Sequence, residues 1–145
     1  MTLSALAEVP TLATLEVEYS SFGDAGAAAL RELRSLQELK AGHTHITDAG
    51  VADLSAIPTL RALSLNRTAL TDRGVHSLPA LAGLERLHLL FTALTDASVP
   101  VLASMLSLRD LGLVRTHLTA AGARDLQRAL PECRVSYKPS VQQLS

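Results

Sequence analysis

The sequence predicts an α/β solenoid, a stack of short units that each contribute one strand and one short helix. Three observations carry that expectation. Leu12, Leu36, Leu60, Leu84 and Leu108 stand 24 residues apart without a slip. Within each unit, apolar residues first alternate with polar ones and then recur at a spacing of three, a switch from strand to helix periodicity. Finally, 29 of the 145 residues are leucine, against two Phe, two Tyr and no Trp, so the core must be aliphatic.

The elements follow in order. Residues 1–11, with Leu3, Leu6 and Val9 at helical spacing, read as a half-repeat that covers the N-terminal end of the core. Repeats begin at residues 12, 36, 60, 84 and 108. Each opens on a strand marked by Leu15, Leu39, Leu63, Leu87 or Leu111, followed two residues later by Val17, Ala41, Leu65, Leu89 or Leu113. This is the period-2 pattern of a half-buried strand. Ser20, Thr44, Thr68, Thr92 and Thr116 come next, where a hydroxyl can satisfy backbone groups that the ladder does not reach. Phe22, Ile46, Leu70, Leu94 and Leu118 return the chain to the core.

A helical stripe then follows, as in Val51, Leu54, Ile57 and Val75, Leu78, Leu81. Thr47-Asp48 and Thr71-Asp72 offer it an N-cap hydroxyl and an early carboxylate. Gly26, Gly50, Gly74 and Gly122 recur at the helix start, where they permit close packing, and Ser98 breaks that column. Pro79 and Pro100 fall inside the third and fourth helical segments and should disrupt them. Residues 132–139 supply a terminal strand with Val135 and Tyr137, Pro139 ends it, and residues 140–145 form a tail. The reading is one domain over residues 1–139.

The segments LQELKAGHTHI, LRALSLNRTAL, LERLHLLFTAL and LRDLGLVRTHL match L-x-x-L-x-L-x-x-[N/C]-x-L, with threonine in place of Asn or Cys. The chain therefore resembles the leucine-rich repeat proteins. The continuations ITDAGVADL and LTDRGVHSL are similar to the ribonuclease-inhibitor and F-box-associated branch. This resemblance implies a right-handed, horseshoe-curved solenoid with parallel strands on the concave face and short helices on the convex face. It says much about fold and little about function.

Composition narrows the function classes. The formal net charge is −1, from 13 Lys+Arg and 14 Asp+Glu, so no global field draws nucleic acid or acidic lipid. Hydrophobic residues at 48% and charged residues at 19% exclude a disordered chain. The single cysteine, Cys133, excludes an internal disulfide framework and a cysteine-based zinc site. The longest uncharged apolar stretch, residues 97–108, is too short to cross a bilayer and contains a proline. No signal peptide is evident, and the expectation is an intracellular, cytoplasmic monomer without a cofactor.

The candidate site is the outward side of the strands. Adjacent strands lie about 4.8 Å apart, so equivalent positions form physical rows. One row is Glu16, Lys40, Ser64, His88 and Gly112; the next is Glu18, Gly42, Asn66, Leu90 and Val114; a third is Tyr19, His43, Arg67, Phe91 and Arg115. Ser64 beside His88 invites a hydrolase reading, but the next residue in that row is Gly112, so no carboxylate orients the histidine at its own level; Asp110 and Arg86 lie one step back. No catalytic residue is assigned. The five histidines do not converge as metal ligands must: His45 and His117 share a column three repeats apart, His43 and His88 lie at different levels, and His76 belongs to the helix side. The basic residues are interleaved with Glu38, Glu85 and Asp110, which argues against nucleic acid.

What remains is a non-enzymatic module that binds another protein on its concave face. The expected contact residues are Tyr19, Lys40, His43, Asn66, Arg67, Arg86, His88, Leu90, Phe91, Val114 and Arg115, rich in the aromatic and arginine types that anchor interfaces. Leu90, Phe91 and Val114 are expected to form its apolar centre. Self-association through the first strand is the rival partner, opposed by Glu16 and Glu18 on that edge. The alternative from another class is a repeat fragment of a larger enzyme or effector, such as the substrate-recruiting part of a ligase.

Overall fold

Each 24-residue unit has room for three residues of strand, two tight turns and one to three helical turns. The structure, a computed structural model, describes residues 12–138. The expected N-terminal half-repeat with Leu3, Leu6 and Val9, the stop at Pro139 and the tail at 140–145 lie outside the described residues.

Six strands form one open parallel sheet in sequence order: β1 (Thr14–Glu16), β2 (Glu38–Lys40), β3 (Ala62–Ser64), β4 (Arg86–His88), β5 (Asp110–Gly112) and β6 (Arg134–Ser136). The register advances by 24 at every step, so Leu15, Leu39, Leu63, Leu87, Leu111 and Val135 stack on one another. Parallel strands need a crossover, and here it is helical: α1 (Asp24–Leu30), α2 (Asp48–Leu54), α3 (Asp72–Val75), α4 (Val99–Ala103) and α5 (Ala120–Ala129). Pro79 disrupts its helix as expected, whereas Pro100 begins one. In the third repeat the helix stops at Val75 and a 3₁₀ turn, Leu78–Ala80, holds Pro79. In the fourth a 3₁₀ turn, Asp96–Ser98, precedes α4, with Pro100 in its first turn where a missing N–H costs nothing.

The core is one continuous aliphatic layer between strands and helices, running from Phe22 to Cys133. Most of its leucines are fully buried, and Tyr137 packs against its end with its hydroxyl donating to the Leu118 carbonyl at 2.8 Å. Among the described residues, no buried side-chain nitrogen or oxygen lacks a hydrogen-bond partner.

The threonine column does what a turn hydroxyl can do. Thr44, Thr68, Thr92 and Thr116 donate to the carbonyls of Ala41, Leu65, Leu89 and Leu113 at 2.7–2.9 Å, tying each strand exit to the strand before it. The residue just ahead of each is less ordinary. Tyr19, His43, Arg67, Phe91 and Arg115 all have φ between 54° and 62°, the left-handed region. For an L side chain that conformation costs roughly 1–2 kcal/mol. Their N–H groups still donate to the next strand, at Gly42, Asn66, Leu90, Val114 and Lys138, over 2.8–3.1 Å. The third row of the sequence reading is therefore a true ladder, but it turns off the end of the sheet instead of continuing its face.

A second ladder runs along the helix entries. Asp24, Asp48, Asp72 and Asp96 each accept two hydrogen bonds from the threonine one repeat on: Thr47, Thr71, Thr95 and Thr119 donate their N–H at 2.7–2.9 Å and their hydroxyls at 2.5–2.6 Å. Each threonine in turn caps its own helix by accepting a backbone N–H. The aspartate thus acts chiefly between repeats, beyond the dipole role expected from its position. The glycine column makes room for it: a Cβ on Gly50, Gly74 or Gly122 would collide with Asp24, Asp48 or Asp96. Where Ser98 replaces glycine, its hydroxyl donates to Asp72 at 2.5 Å, so the break in the column becomes another bond to the same carboxylate.

Candidate functional site

With the leucines turned inward, the residues flanking them lie on the outer side of the strands, and they sort into sheet rows and an exit row. The first sheet row is Thr14, Glu38, Ala62, Arg86, Asp110 and Arg134; the second is Glu16, Lys40, Ser64, His88, Gly112 and Ser136. Their charges pair among themselves. Lys40 lies 3.5 Å from Glu16 and 3.7 Å from Glu38, and Arg86 reaches across Ala62 to Glu38 at 3.1 Å. Asp110 meets His88 at 3.4 Å and Arg134 at 3.7 Å. Because Ala62 is small, these side chains ring a dimple of about 60 Å³ bordered by Glu38, Lys40, Ser64, Arg86 and His88. Such exposed pairs contribute at most about 1 kcal/mol each, but they neutralise the face.

At its own level His88 faces Gly112, as expected, but Asp110 one step back on the neighbouring strand reaches it diagonally. Ser64 is not part of that arrangement, since its Oγ accepts a hydrogen bond from Asn66 Nδ2 at 3.2 Å. Asn66 also accepts the Leu90 N–H at 2.8 Å, so its amide bridges β3 and the turn after β4. Leu90 folds over Gly112, where a Cβ would strike its Cδ1, and Leu90 and Val114 are both half-buried. The expected apolar centre is therefore divided: these two shield the sheet, while Phe91 stands beyond it on the exit turn.

The exit row carries planar groups in contact. The Tyr19 and His43 rings stack with centroids 4.4 Å apart and planes 23° from parallel. The Arg67 guanidinium lies over the Phe91 ring, 3.8 Å from its centroid, a cation–π geometry. Between Arg67 and Arg115, in front of Phe91 and beside His117, lies a shallow open cleft. Of the large hydrophobics exposed among the described residues, Tyr19 and Phe91 belong to this row, 77% and 43% exposed, and Leu106 lies elsewhere.

The predicted residues thus divide in two: Lys40, Asn66, Arg86, His88, Leu90 and Val114 on the sheet, and Tyr19, His43, Arg67, Phe91 and Arg115 along its exit edge. Sequence reasoning missed Glu38 and Asp110 as hubs of the charge network and His117 as a wall of the cleft. The register signal was present for the first two, which precede Leu39 and Leu111 and must face outward. Elsewhere, Cys133 is buried, and burial followed by the Asp110 charge pushes its thiol pKa up, so it is a packing residue. Among the described residues no three His, Cys, Asp or Glu side chains come together as a metal site, and no helix is long and apolar enough to cross a membrane.

A family model described as Leucine Rich repeat matches residues 56–78. No curated protein matches the sequence. Solved structures do. An internalin from Listeria monocytogenes superposes with a TM-score of 0.68 at 17% identity, covering 96% of this chain and 45% of its own. The tropomodulin C-terminal domain of Caenorhabditis elegans gives 0.69 at 15% identity, over 90% of this chain and 89% of that one. Actin-binding site 2 of leiomodin-1 gives 0.70 at 15% identity, over 90% and 86%. The present chain thus spans less than half of the internalin and most of the other two.

Proposed function

We propose that this leucine-rich repeat protein is a non-enzymatic module that binds another protein across its strand side. One observation carries the reading: the exposed aromatic residues Tyr19 and Phe91 and the arginines Arg67 and Arg86 are gathered on the strand side, opposite the helices. Aromatic and arginine side chains are the types that dominate binding energy at interfaces. The stacked repeats present them in fixed rows, which lowers the ordering cost of association. The similar leiomodin-1 structure is that of an actin-binding site, which is consistent with a binding role for this kind of scaffold and identifies no partner here.

Catalysis fits less well. His88 is engaged by Asp110, Ser64 by Asn66, and the face is open to water, whereas a nucleophile needs a base on its own hydroxyl and an enclosed oxyanion site. The test is affinity capture from a native lysate with the protein and three variants. Phe91→Ala and Arg86→Glu are expected to lose the captured protein while melting near the wild-type temperature. Arg124→Glu, exposed on α5, is expected to keep it. Loss with the helix variant and retention with both strand-side variants would move the interface to the other side.

A further inference from the structure

We propose that the left-handed row at the strand exits is the recognition edge of this molecule, and that its partner is a protein segment rich in Asp and Glu. The proposal rests on the reading of the strand side as a protein-binding face and narrows it to one edge and one chemistry.

The backbone supplies the first argument. Five successive repeats hold the exit residue at positive φ, and none of the chain's glycines, which relieve that strain, occupies the position. The row carries Tyr, His, Arg, Phe and Arg instead, all with planar side-chain groups. Strain maintained in every repeat, always under a planar side chain, points to use of the side chains themselves.

Charge supplies the second. The carboxylates Glu38 and Asp110 of the sheet rows are each held by two basic groups, so the sheet offers little net field. The exit row contains no acid, and Arg67 makes no ion pair among the described residues. Its guanidinium plane is set by Phe91, with Arg115 and His117 across the same open cleft. A guanidinium whose plane is fixed and whose N–H edge is open is suited to a carboxylate, which it can grip with two parallel hydrogen bonds. A side chain already immobilised on an aromatic ring loses little entropy in doing so. The stacked Tyr19–His43 pair extends the same edge toward β1 as an apolar rail for an extended segment.

The experiment titrates the protein with a labelled, end-blocked peptide of alternating Glu and Ser, its Gln counterpart, and oligothymidylate, which the same planar groups could stack. The Glu peptide is expected to bind, to weaken as salt is raised, and to outcompete both other probes. Arg67→Gly is expected to weaken it about tenfold with the melting temperature unchanged or raised, because the substitution also relieves the backbone. Arg124→Glu on the helix side is expected to leave it nearly unaltered. Equal binding of the Glu and Gln peptides, no binding of either, tighter binding of oligothymidylate, or indifference to Arg67→Gly each overturns the proposal. If Arg86→Glu abolishes binding and Arg67→Gly does not, the exit edge is wrong and the strand-side reading stands; if neither matters, both fall.

Discussion

Every repeat contains two tight turns, and they are built in opposite ways. At the helix entry the chain uses the same small vocabulary four times over: an aspartate, the next repeat's threonine and, in three repeats, a glycine cut to fit the carboxylate. Every polar group there is matched and the backbone is relaxed, with each threonine cap in the extended region. At the strand exit the backbone conformation is the constant and the side chain varies, over Tyr, His, Arg, Phe and Arg. Repeats that agree on residues and geometry are holding one another together. Repeats that agree on an unfavourable geometry and differ in their residues fit the proposal that those side chains serve recognition.

The largest expected break lies at the helix entries. Asp72→Ala removes the acceptor of the Thr95 N–H, the Thr95 hydroxyl and the fully buried Ser98 hydroxyl. It should cost about 2–4 kcal/mol, since a buried hydroxyl is orphaned together with charge-assisted bonds. Urea unfolding measures it, and a loss under about 0.5 kcal/mol, the range of a plain surface change, would mean that the aspartate ladder is decorative.

Acid should produce the next effect. For Asp24, burial pushes the carboxyl pKa up, but the Thr47 hydroxyl, the Thr47 N–H and the Gly50 N–H together outweigh it and hold it below the ordinary value. Asp72 behaves alike: burial is opposed by the Ser98 and Thr95 hydroxyls, the Thr95 N–H and the His76 charge, with a net lowering. A depressed folded-state value means stability that is fully present above the unfolded carboxyl pKa of about 3.9 and is lost as pH falls through the folded value. The melting temperature should therefore hold near neutrality and drop below about pH 4. Asp72→Asn should flatten that drop; an unchanged slope would remove the ladder from the cause.

The smallest effect is expected at the exits. His43→Gly relieves a positive φ and gives up a ring stack worth about 0.5–1.5 kcal/mol, so the two nearly cancel and unfolding free energy should stay within about 1 kcal/mol of wild type. A loss as large as that of Asp72→Ala would erase the contrast between the two turns and make the exit row structural.

Much of this was legible in residue order alone. A 24-residue spacing of Leu12, Leu36, Leu60, Leu84 and Leu108 determines the register of a parallel sheet, because a one-residue slip would turn every leucine to water. The same spacing identified the threonine column as a backbone partner and placed Pro79 at a disrupted helix. It also picked out the strand-side residues, since the neighbours of an inward leucine must point outward. What it could not supply is contact between side chains of different repeats. That His88 meets Asp110 one row away, that Arg86 reaches Glu38 across Ala62, and that Arg67 settles on Phe91 depend on side-chain length, direction and the distance between strands. The sign of φ at Tyr19, His43, Arg67, Phe91 and Arg115 was hidden for a related reason: none is a glycine, and intrinsic preference argues against that conformation for each. Local preference is worth about 1–2 kcal/mol per residue, while the hydrogen-bonded ladder and the buried leucine on either side of each turn act together, so at these five positions the stacked repeats decided the backbone against the residues' own inclination.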